Sequence, residues 1–448
     1  MSDLDLVLRG GTIVSHEGEW PADVGIADGK IAGIAPGLPG RAREEVLASG
    51  LHIFPGLIDS HVHFNDPGRA HWEGIETGSR ALAAGGGTMF FDMPLNSSPP
   101  TLDAASFDLK RAVAESTSLT DFALWCGLTP GNLDELEELA ERGVIGFKAF
   151  MSNSGIEDFA RADDDTLQEG MRCAAALRKL VAVHAESEQI TSELSNRPFK
   201  TSIRDYLDSR PIRAELEAIQ RAIAIAGKTK CALHIVHVSS GDGVILVADA
   251  RAQGVDVTCE TCPHYLTLAE EDMIQLGAVA KCAPPLRNKS AQNDLWQGLM
   301  AGVVTTVGSD HSPSPPDMKT DRNFFKVWGG ISGVQHTLPL LFTEGHVKRG
   351  MALPLIAKLT SFNVAERFNL PPRKGHLAVG ADADLVLVDL RQSSTVRAGD
   401  LLDRHKHSPY VGRALTGRVV RTILRGQTIF QDGKIVSPPM GRLVKPAH

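Results

Sequence analysis

The stretch HIFPGLIDSHVHF (residues 52–64) combines a long apolar run with two histidines near its carboxyl end. Seven further apolar runs follow it, and the segments between runs space their apolar residues as amphipathic helices do. They are TMFFDMP (88–94), DFALWC (121–126), VIGFKAF (144–150), LVAVHAE (180–186), CALHIVHV (231–238), VDVTCET (255–261) and VVTTVGSD (303–310). Strands that alternate with helices favour a parallel sheet, and eight such units in roughly 300 residues predict an α/β fold with a closed (β/α)8 TIM barrel. A doubly wound open sheet is the alternative, but no G-x-G-x-x-G follows the first run.

Two β-rich stretches lie outside these runs, at opposite ends of the chain. LVLRGGTIVSHEGEWPADVGIADGKIAGI and VVRTILRGQTIFQDGKIV are rich in Val, Ile and Thr and contain Gly and Asp-Gly turns, which is typical of short strands and hairpins. Two such pieces are stable only if they pack together. The sequence therefore predicts one small β domain from residues 1–53 and 380–448, and a barrel domain from residues 54–379.

Composition narrows the class of protein. Of the 448 residues, 42% are hydrophobic and 22% are charged, and the formal net charge is -8. This mildly acidic balance provides no electrostatic footprint for nucleic acid or an anionic membrane. The start, MSDLDLVLRGG, lacks the basic and apolar regions of a signal peptide, and no stretch of about 18 apolar residues appears. We expect a cytoplasmic protein that binds neither membrane nor nucleic acid.

The six cysteines are scattered along the chain, and we expect reduced thiols. Cys259 and Cys262 form a C-x-x-C motif, which occurs in redox and zinc sites. A zinc knuckle needs a second such pair, and the sequence has none. Buried strand cysteines are therefore the favoured interpretation.

Polar side chains recur at the ends of the apolar runs. His61 and His63 are two residues apart, so both would point the same way from a strand. By itself this H-x-H also fits ordinary surface or core histidines. Four later runs, however, also end in a metal-binding or titratable residue: Lys148, His184, His237 and Asp310. Because barrel enzymes build their sites at the carboxyl ends of the strands, the recurrence predicts a metal site with groups from strands one, four, five, six and eight.

Lys148 requires a separate explanation, because an ammonium group has three donors and no acceptor and cannot bind a metal. Its neighbours are apolar: Ile145, Phe147, Ala149, Phe150 and Met151. Burial lowers the pKa of a lysine and exposes a nucleophilic amine. Such an amine can react with carbon dioxide to give a carbamate, an anion with two oxygens that can bridge two metal ions. A buried lysine paired with an acid is the equally weighted alternative from these residues alone.

The motifs resemble those of the cyclic amidohydrolases, the family of dihydroorotase, hydantoinase (dihydropyrimidinase) and allantoinase. The resemblance covers essentially the whole chain, from PGLIDSHVHF to KGHLAVGADADLVLVD and the β segments outside them. It implies a (β/α)8 barrel with a small β-sandwich, a site for two divalent metal ions, and a homotetramer. Zinc is the expected metal, and cobalt, manganese or iron would also suit the ligands.

The family pattern assigns roles to individual residues. His61, His63 and Asp310 would hold one metal ion, His184 and His237 the other, and carboxylated Lys148 would bridge them. His234 also lies in the sixth run, but His237 stands in the HVSS context of the family motif. Asp310 would be the catalytic base and then the acid, because it would move the proton from water to the leaving ring nitrogen.

The segment after H-x-H separates the branches of the family. Dihydroorotases have an Arg two residues beyond the second His, which holds the substrate carboxylate, whereas this chain has Asn65 there. Allantoin has no carboxylate, so an amide side chain is chemically suited to it. The text HVHFNDPGRAHWEG (61–74) is similar to allantoinases, although Asp66 stands where Glu is more usual. The other similar segments are MPLNSSPPT (93–101), ETCPHYL (260–266), KCAPPLR (281–287), GSDHSP (308–313), WGGISGVQHTLP (328–339) and HKHSPYVG (405–412).

The resemblance thus implies hydrolysis of the hydantoin ring of allantoin to allantoate. It suggests Asn65, Asn96, Ser312 and the backbone of Cys282 as substrate contacts. Ordinary explanations also fit the last three, as a turn Asn, a helix-capping Ser and a core Cys. His264 could orient a group near the cavity mouth or be structural, and the loop formed by residues 153–155 could be a lid or a plain connection.

Two alternative functions follow from the same residues. The first is a hydantoinase or dihydropyrimidinase with the same metals, which the text around Asn65 and Asn96 disfavours. The second is a catalytically inactive homologue that serves as an interaction scaffold. All six residues of the predicted metal site are present, which disfavours the scaffold.

Overall fold

The computed structural model describes residues 4–197 and 200–447. Its strands are β1 (Leu4–Val14), β2 (Glu19–Ala27), β3 (Lys30–Ala35), β4 (Ala42–Leu47), β5 (His52–Pro55), β6 (Leu57–Val62), β7 (Gly87–Asp92), β8 (Asp121–Leu124), β9 (Cys126–Gly127), β10 (Phe147–Phe150), β11 (Val181–His184), β12 (Leu233–Ile235), β13 (Val257–Thr261), β14 (Thr306–Val307), β15 (Leu385–Thr395), β16 (Ala414–Leu424), β17 (Gln427–Gln431) and β18 (Lys434–Ile435).

The helices lie mainly between the central strands. They are α1 (Ile75–Ala84), α2 (Ala104–Thr117), α3 (Leu136–Arg142), α4 (Asp164–Ala176), α5 (Glu188–Ser195), α6 (Ile203–Ser209), α7 (Ile212–Thr229), α8 (Gly241–Ala252), α9 (Pro263–Thr267), α10 (Glu270–Leu276), α11 (Lys289–Met300), α12 (Thr337–Leu340), α13 (Leu353–Ala357) and α14 (Asn363–Arg367). Among the described residues, no helix combines the length and apolar character needed to cross a membrane.

Each of the eight apolar runs contains a parallel strand. Strands β6, β7 and β8 form one sheet, and β9 to β14 form another in chain order. The two sheets adjoin at one side because only Trp125 separates β8 from β9. At the other side a parallel bridge joins Val62 to His311, and the His63 amide donates to the His311 carbonyl at 2.7 Å. The strands are buried on both faces, which explains their continuous apolar runs.

Both ends of the chain join one mixed sheet of nine strands. Its order is β18-β17-β16-β15-β5-β1-β2-β3, and β4 pairs with β1. The shared sheet predicted from the two β-rich ends is therefore present. The run at 52–64 is two strands rather than one, since β5 pairs with β15 in this sheet and β6 pairs with β7. The division into residues 1–53, 54–379 and 380–448 stays a prediction.

A buried ionic cluster fastens the terminal sheet to the central strands. The Lys374 ammonium lies 2.7 Å from Asp121 at the start of β8, 2.6 Å from Asp384 beside β15, and 3.0 Å from Asp382. Arg425 pairs with the same Asp121. Because several carboxylates surround one buried cation, they raise the pKa of Lys374 despite the opposing effect of burial. This end of the strands is thus held by ionic contacts, and the opposite end holds the candidate site.

Candidate metal and substrate site

The six predicted metal-site residues come together at the carboxyl ends of the central strands. His61 is in β6 and His63 follows that strand, Lys148 is in β10, and His184 ends β11. His237 and Asp310 lie just beyond β12 and β14. All five basic residues are buried, and the Asp310 side chain is 13% exposed. The recurrence of polar residues at the ends of the runs thus identified residues that share one region of space.

Four residues of this region have left-handed backbone conformations, which are uncommon for residues with a side chain. Their φ values are 65° at Asn65, 70° at Asn96, 41° at His237 and 47° at Asp310. Such conformations cost about 1–3 kcal/mol each and cluster at functional sites. The turns after the strands therefore carry strain that sets the directions of these side chains.

The first half of the site consists of His61, His63 and Asp310. The Nε2 atoms of the two histidines lie 3.3 and 3.4 Å from Oδ1 of Asp310. One possible ligand atom from each residue lies within 4.8 Å of the others, as metal binding requires. Burial raises the pKa of Asp310, but His61 and His63 outweigh it and lower the pKa to about 2. Asp310 is therefore an ionised carboxylate facing two imidazoles, a donor set that suits a divalent metal ion.

Glu260, at the end of β13, fixes the orientation of His61. Its Oε1 lies 2.8 Å from Nδ1 of His61, and its Oε2 accepts from the Ser60 hydroxyl at 2.5 Å. This contact leaves Nε2 of His61 for Asp310 or a metal, the arrangement found around metal-binding histidines. Gly308 makes room for it, since a Cβ there would lie 2.6 Å from Oε2 of Glu260. The sequence prediction missed Glu260, although an acid inside the apolar run VDVTCET was a usable signal.

The second half consists of Lys148, His184 and His237. Nδ1 of His184 faces Nε2 of His237 at 3.0 Å, while Nε2 of His184 lies 2.8 Å from the Glu186 carboxylate. Glu186 in turn accepts from Nε of Arg210 at 3.0 Å. Nδ1 of His237 is buried and has no hydrogen-bond partner within the described part of the chain. Two ring nitrogens thus converge on one point, and the carboxylate of this half, Glu186, contacts the opposite ring nitrogen of His184.

Lys148 is fully buried, and its amino group has no hydrogen-bond partner among residues 4–197 and 200–447. The nitrogen lies 4.8 Å from the centre of the Phe150 ring. Burial lowers the pKa of Lys148 to about 7, although Asp310 and Glu260 act in the opposite direction. The neutral, nucleophilic form of the amine is therefore well populated near neutral pH. The alternative of a lysine paired with an acid is wrong for the part of the chain that the structure describes, since Lys148 forms no ion pair or hydrogen bond there.

A cavity of about 440 Å³ opens onto these residues. Three of the four predicted substrate contacts line it: Asn96, Cys282 and Ser312. Nδ2 of Asn96 lies 3.4 Å from the Ser312 hydroxyl and 3.5 Å from Nδ1 of His63. Residues 153–155 also line the cavity, which places that loop at its edge. A small ring with amide groups would meet donors and acceptors on several sides.

Asn65 and His264 occupy less direct positions. Asn65 is buried, is not among the cavity-lining residues, and donates to the Pro313 carbonyl at 3.3 Å. Its contact with substrate stays a prediction. His264, in α9, is fully buried with both ring nitrogens unpaired, and forms a second possible metal-binding group with Cys262 and Asp310. Cys259 and Cys262 are both buried, as the interpretation of strand cysteines requires.

Several cavity residues were missed by sequence reasoning. Tyr206 of α6, Arg210 and Lys281 line the cavity together with residues 325–330. Residues 325–330 follow the last central strand by about twenty residues and carry no metal-binding side chains, so strand-end patterns could not identify them. The segment WGGISGVQHTLP was quoted for its resemblance only.

Comparisons with known proteins agree with this geometry. A sequence model of the amidohydrolase family matches residues 52–434. An allantoinase from Rubrobacter xylanophilus is 56% identical and one from Deinococcus radiodurans is 53% identical; the alignments cover 100% and 99% of this chain and 98% and 99% of those proteins. The solved L-hydantoinase (dihydropyrimidinase) from Arthrobacter aurescens superimposes with a TM-score of 0.96 at 33% identity, over 99% of this chain and 100% of that one. The chain therefore belongs to the amidohydrolase family, and within that family to the allantoinases.

Proposed function

We propose that this protein hydrolyses a cyclic amide bond of the hydantoin ring of allantoin to give allantoate. The observation that carries the substrate assignment is full-length similarity to allantoinases at 50–56% identity. Three Arg or Lys side chains line the cavity, and two are already engaged: Arg210 is paired with Glu186, and Lys281 is bonded to backbone carbonyls. The third, Lys326, is exposed, so the lining holds no buried cation left to bind a substrate carboxylate among the described residues. A cyclic imide with a ureido group can instead bond to amides, hydroxyls and backbone groups.

The fold that presents this site is proposed to be a closed (β/α)8 barrel with a β-sandwich. The order of the parallel strands, the direct passage from β8 to β9 and the bridge from Val62 to His311 support closure. The nine-stranded sheet formed by both chain ends supports a separate β layer beside the barrel. In such barrels the reaction occurs at the carboxyl ends of the strands, where the six residues are found.

Two divalent metal ions, zinc by preference, would be held by these six residues. His61, His63 and Asp310 would hold one and His184 and His237 the other, with carboxylated Lys148 between them. When bound, the metals would lower the pKa of a water molecule and polarise the carbonyl under attack. Carbon dioxide and the neutral amine of Lys148 would form the carbamate with release of one proton. The second half, whose Glu186 carboxylate contacts the other ring nitrogen of His184, would thereby gain further anionic oxygens.

Asp310 would move the proton during hydrolysis. Its ionised carboxylate would accept a proton from the attacking water, and would then deliver it to the ring nitrogen as the carbon–nitrogen bond breaks. His61 and His63 contact this carboxylate and lower its pKa to about 2, opposing the effect of burial. The carboxylate is therefore unprotonated and can accept the proton as the water attacks the carbonyl. One carbon–oxygen bond forms and one carbon–nitrogen bond breaks, and the water proton ends on the leaving nitrogen.

Substrate would be positioned by Asn96, Ser312 and the backbone of Cys282, which line the cavity on different sides. Asn65 would act from beneath Ser312, since it is bonded to the adjacent Pro313. A homotetramer in the cytoplasm is the state expected from the family resemblance and the sequence.

The test is an assay of purified protein against allantoin, hydantoin, dihydrouracil and dihydroorotate, together with metal analysis. We expect the highest kcat/KM for allantoin and about two metal ions per chain. The alternative of a hydantoinase is supported by the TM-score of 0.96 to the Arthrobacter aurescens enzyme. Faster opening of hydantoin or dihydrouracil would establish that alternative. No activity after addition of metal and bicarbonate would instead favour the inactive scaffold.

A further inference from the structure

One wall of the cavity is a segment without regular secondary structure. This wall segment, Phe324–Gly330, contributes most of its residues to the cavity lining. A strand or helix would satisfy its carbonyl groups, but the wall segment has neither, and buried carbonyls need donors. A buried lysine, Lys281, and a half-buried lysine, Lys319, supply them.

Lys281 binds the first part of the wall segment. It is 4% exposed, and its amino group donates to the carbonyls of Phe324 at 2.7 Å and Val327 at 2.6 Å, with that of Phe325 at 3.4 Å. The same nitrogen lies 4.6 Å from the centre of the Tyr206 ring. Its own carbonyl accepts from the Gly330 amide at 2.7 Å. Lys281 is thus attached to both ends of the wall segment.

Lys319 binds the second part. Its amino group donates to the carbonyls of Trp328 at 2.9 Å and Gly330 at 2.8 Å, and that of Ala278 lies at 3.4 Å. Gly330 has φ 126°, and a Cβ there would collide with the Ser312 carbonyl. The wall segment is therefore pressed against Ser312, a predicted substrate contact, at the end that Lys319 holds.

The attachment also reaches Cys282, the residue after Lys281. The Tyr206 hydroxyl donates to the Cys282 carbonyl at 2.9 Å, and the Tyr206 ring packs edge-on against Phe324 at 5.5 Å. The loop of residues 281–283 and the wall segment are consequently joined through Lys281 and Tyr206. A shift of either would move groups on two sides of the cavity together.

We propose that Lys281 and Lys319 are positioning residues, whose amino groups fasten the wall segment to the 281–283 loop and so preform the substrate cavity. The role in substrate binding rests on the proposed allantoin hydrolysis. The fastening itself does not, because it is a property of the contacts between the amino groups and carbonyls. Neither lysine touches the reacting atoms in this proposal, so their loss should affect KM more than kcat.

The test compares Lys281→Met and Lys319→Met, which keep an unbranched apolar stem but remove the donors. Lys228→Met is the matched control, since Lys228 is exposed near the end of α7 and has no part in the cavity. The first measurement is hydrogen–deuterium exchange of peptides that cover 322–331. We expect exchange there to accelerate about tenfold to a hundredfold in either variant, with peptides from β6 and β11 unchanged and the control like the unmodified protein.

The second measurement is steady-state kinetics with allantoin. We expect KM to rise about tenfold with kcat changed less than about threefold, as for loss of uniform binding. Unchanged exchange in both variants would overturn the fastening, and accelerated exchange with kcat reduced and KM unchanged would overturn its role in substrate binding. If the unmodified protein does not open allantoin, the proposed function fails while the exchange result still decides the fastening. If one variant does not fold, the other decides, because the two lysines hold different carbonyls.

Discussion

Lys148, among the predicted metal-site residues, and Lys281, in the cavity lining, are both buried lysines with a lowered pKa, yet their surroundings differ. Burial lowers the pKa of both Lys148 and Lys281 to about 7, and the nearby positive charges of Arg210 and Lys319 add to the effect at Lys281. Lys148 has no acceptor, whereas Lys281 has two carbonyls within 2.7 Å. The comparison teaches that a lowered pKa alone does not identify a reactive lysine. The presence or absence of acceptors separates an amine available for chemistry from one committed to structure.

Lys110 is a third buried lysine, and its amino group has a carboxylate among its acceptors. It is fully buried in α2, and its amino group donates to the Asp92 carboxylate at 2.7 Å and the Met93 carbonyl at 2.8 Å. Its charge is paired, and the carboxylate that it holds also accepts from the Phe64 amide, next to His63. Substitution at Lys148 and Lys110 should therefore have opposite consequences for activity and stability.

The largest effect is expected for Lys148→Ala. Replacement of a residue that orients a metal ligand costs about 10–100-fold in activity, and loss of the group proposed to lie between two metal ions should exceed that. We expect activity below detection in Lys148→Ala. In Lys148→Met, which fills the space of the stem without an amine, we expect a free energy of unfolding of the metal-free protein that is little changed, because the buried amine makes no hydrogen bond to a described residue. Steady-state kinetics measures the activity, and denaturant unfolding measures the free energy of unfolding. Short carboxylic acids with added metal should restore part of the activity of Lys148→Ala. Substantial activity of Lys148→Ala without added acid would remove the carbamate from the mechanism.

Lys110→Met should show the reverse pattern. Removal of one partner from a buried ion pair costs about 3–5 kcal/mol, since the other charge stays buried and uncompensated. We expect a lower midpoint of denaturant unfolding, with kcat per folded, metal-loaded molecule within a few-fold of the unmodified protein. The double variant Lys110→Met/Asp92→Leu, which removes both charges, should recover part of the stability. No loss of stability in Lys110→Met would contradict the contrast drawn between the paired and unpaired lysines.

A smaller effect is expected from Glu260→Gln, which alters the half of the site that already has its carboxylates. The amide keeps the size of the side chain but removes the negative charge beside Nδ1 of His61. Such changes reduce metal affinity or activity by about 10–100-fold. Metal content after dialysis against graded chelator measures the affinity directly. The matched control is Glu271→Gln, an exposed residue of α10, and equal metal retention in both variants would show that Glu260 does not support His61.

The sequence predicted the parts of this molecule that follow a repeating pattern. The strands inside the eight apolar runs, the shared terminal sheet and the convergence of His61, His63, Lys148, His184, His237 and Asp310 belong to this group. Apolar runs locate buried strands because both faces of a parallel sheet are covered, and one polar residue at a strand end then stands out. The last run exceeded its strand, since only Thr306–Val307 of residues 303–310 pair.

The contacts between distant segments could not be predicted from the sequence. Glu260 supports His61 across 199 positions, and Lys281 meets the carbonyls of Phe324 and Val327 more than 40 positions away. Acceptors that are backbone carbonyls leave no trace in residue types. For the same reason the apolar neighbours of Lys148 could not show whether an acid lay opposite it. Only the folded arrangement separates these possibilities.

The smallest predicted effect is a pH dependence of the opening of the wall segment, which separates Lys281 and Lys319 from Lys148. Burial lowers the pKa of Lys281 to about 7 and that of Lys319 to about 8, and the neighbouring Arg210 and Lys319 add to the effect at Lys281. An exposed lysine titrates near 10.4. If the wall segment opens and exposes these lysines, they must therefore take up protons at pH values between their lowered pKa and about 10.4. The free energy of opening should rise with pH, by at most about 1.4 kcal/mol per pH unit for each lysine.

A neutral amine at Lys281 still suits the closed state, because its two N–H donors match the two close carbonyls, those of Phe324 and Val327. We expect exchange in 322–331, corrected for the intrinsic rate, to slow by up to about tenfold per lysine from pH 7.5 to 8.5. Lys281→Met should lose its share of that dependence. Lys148→Ala should retain it, because the Lys148 amino group forms no hydrogen bond to the wall segment among the described residues. Exchange that is independent of pH in the unmodified protein would show that both lysines stay buried when the wall opens, and would confine their effect to the closed state.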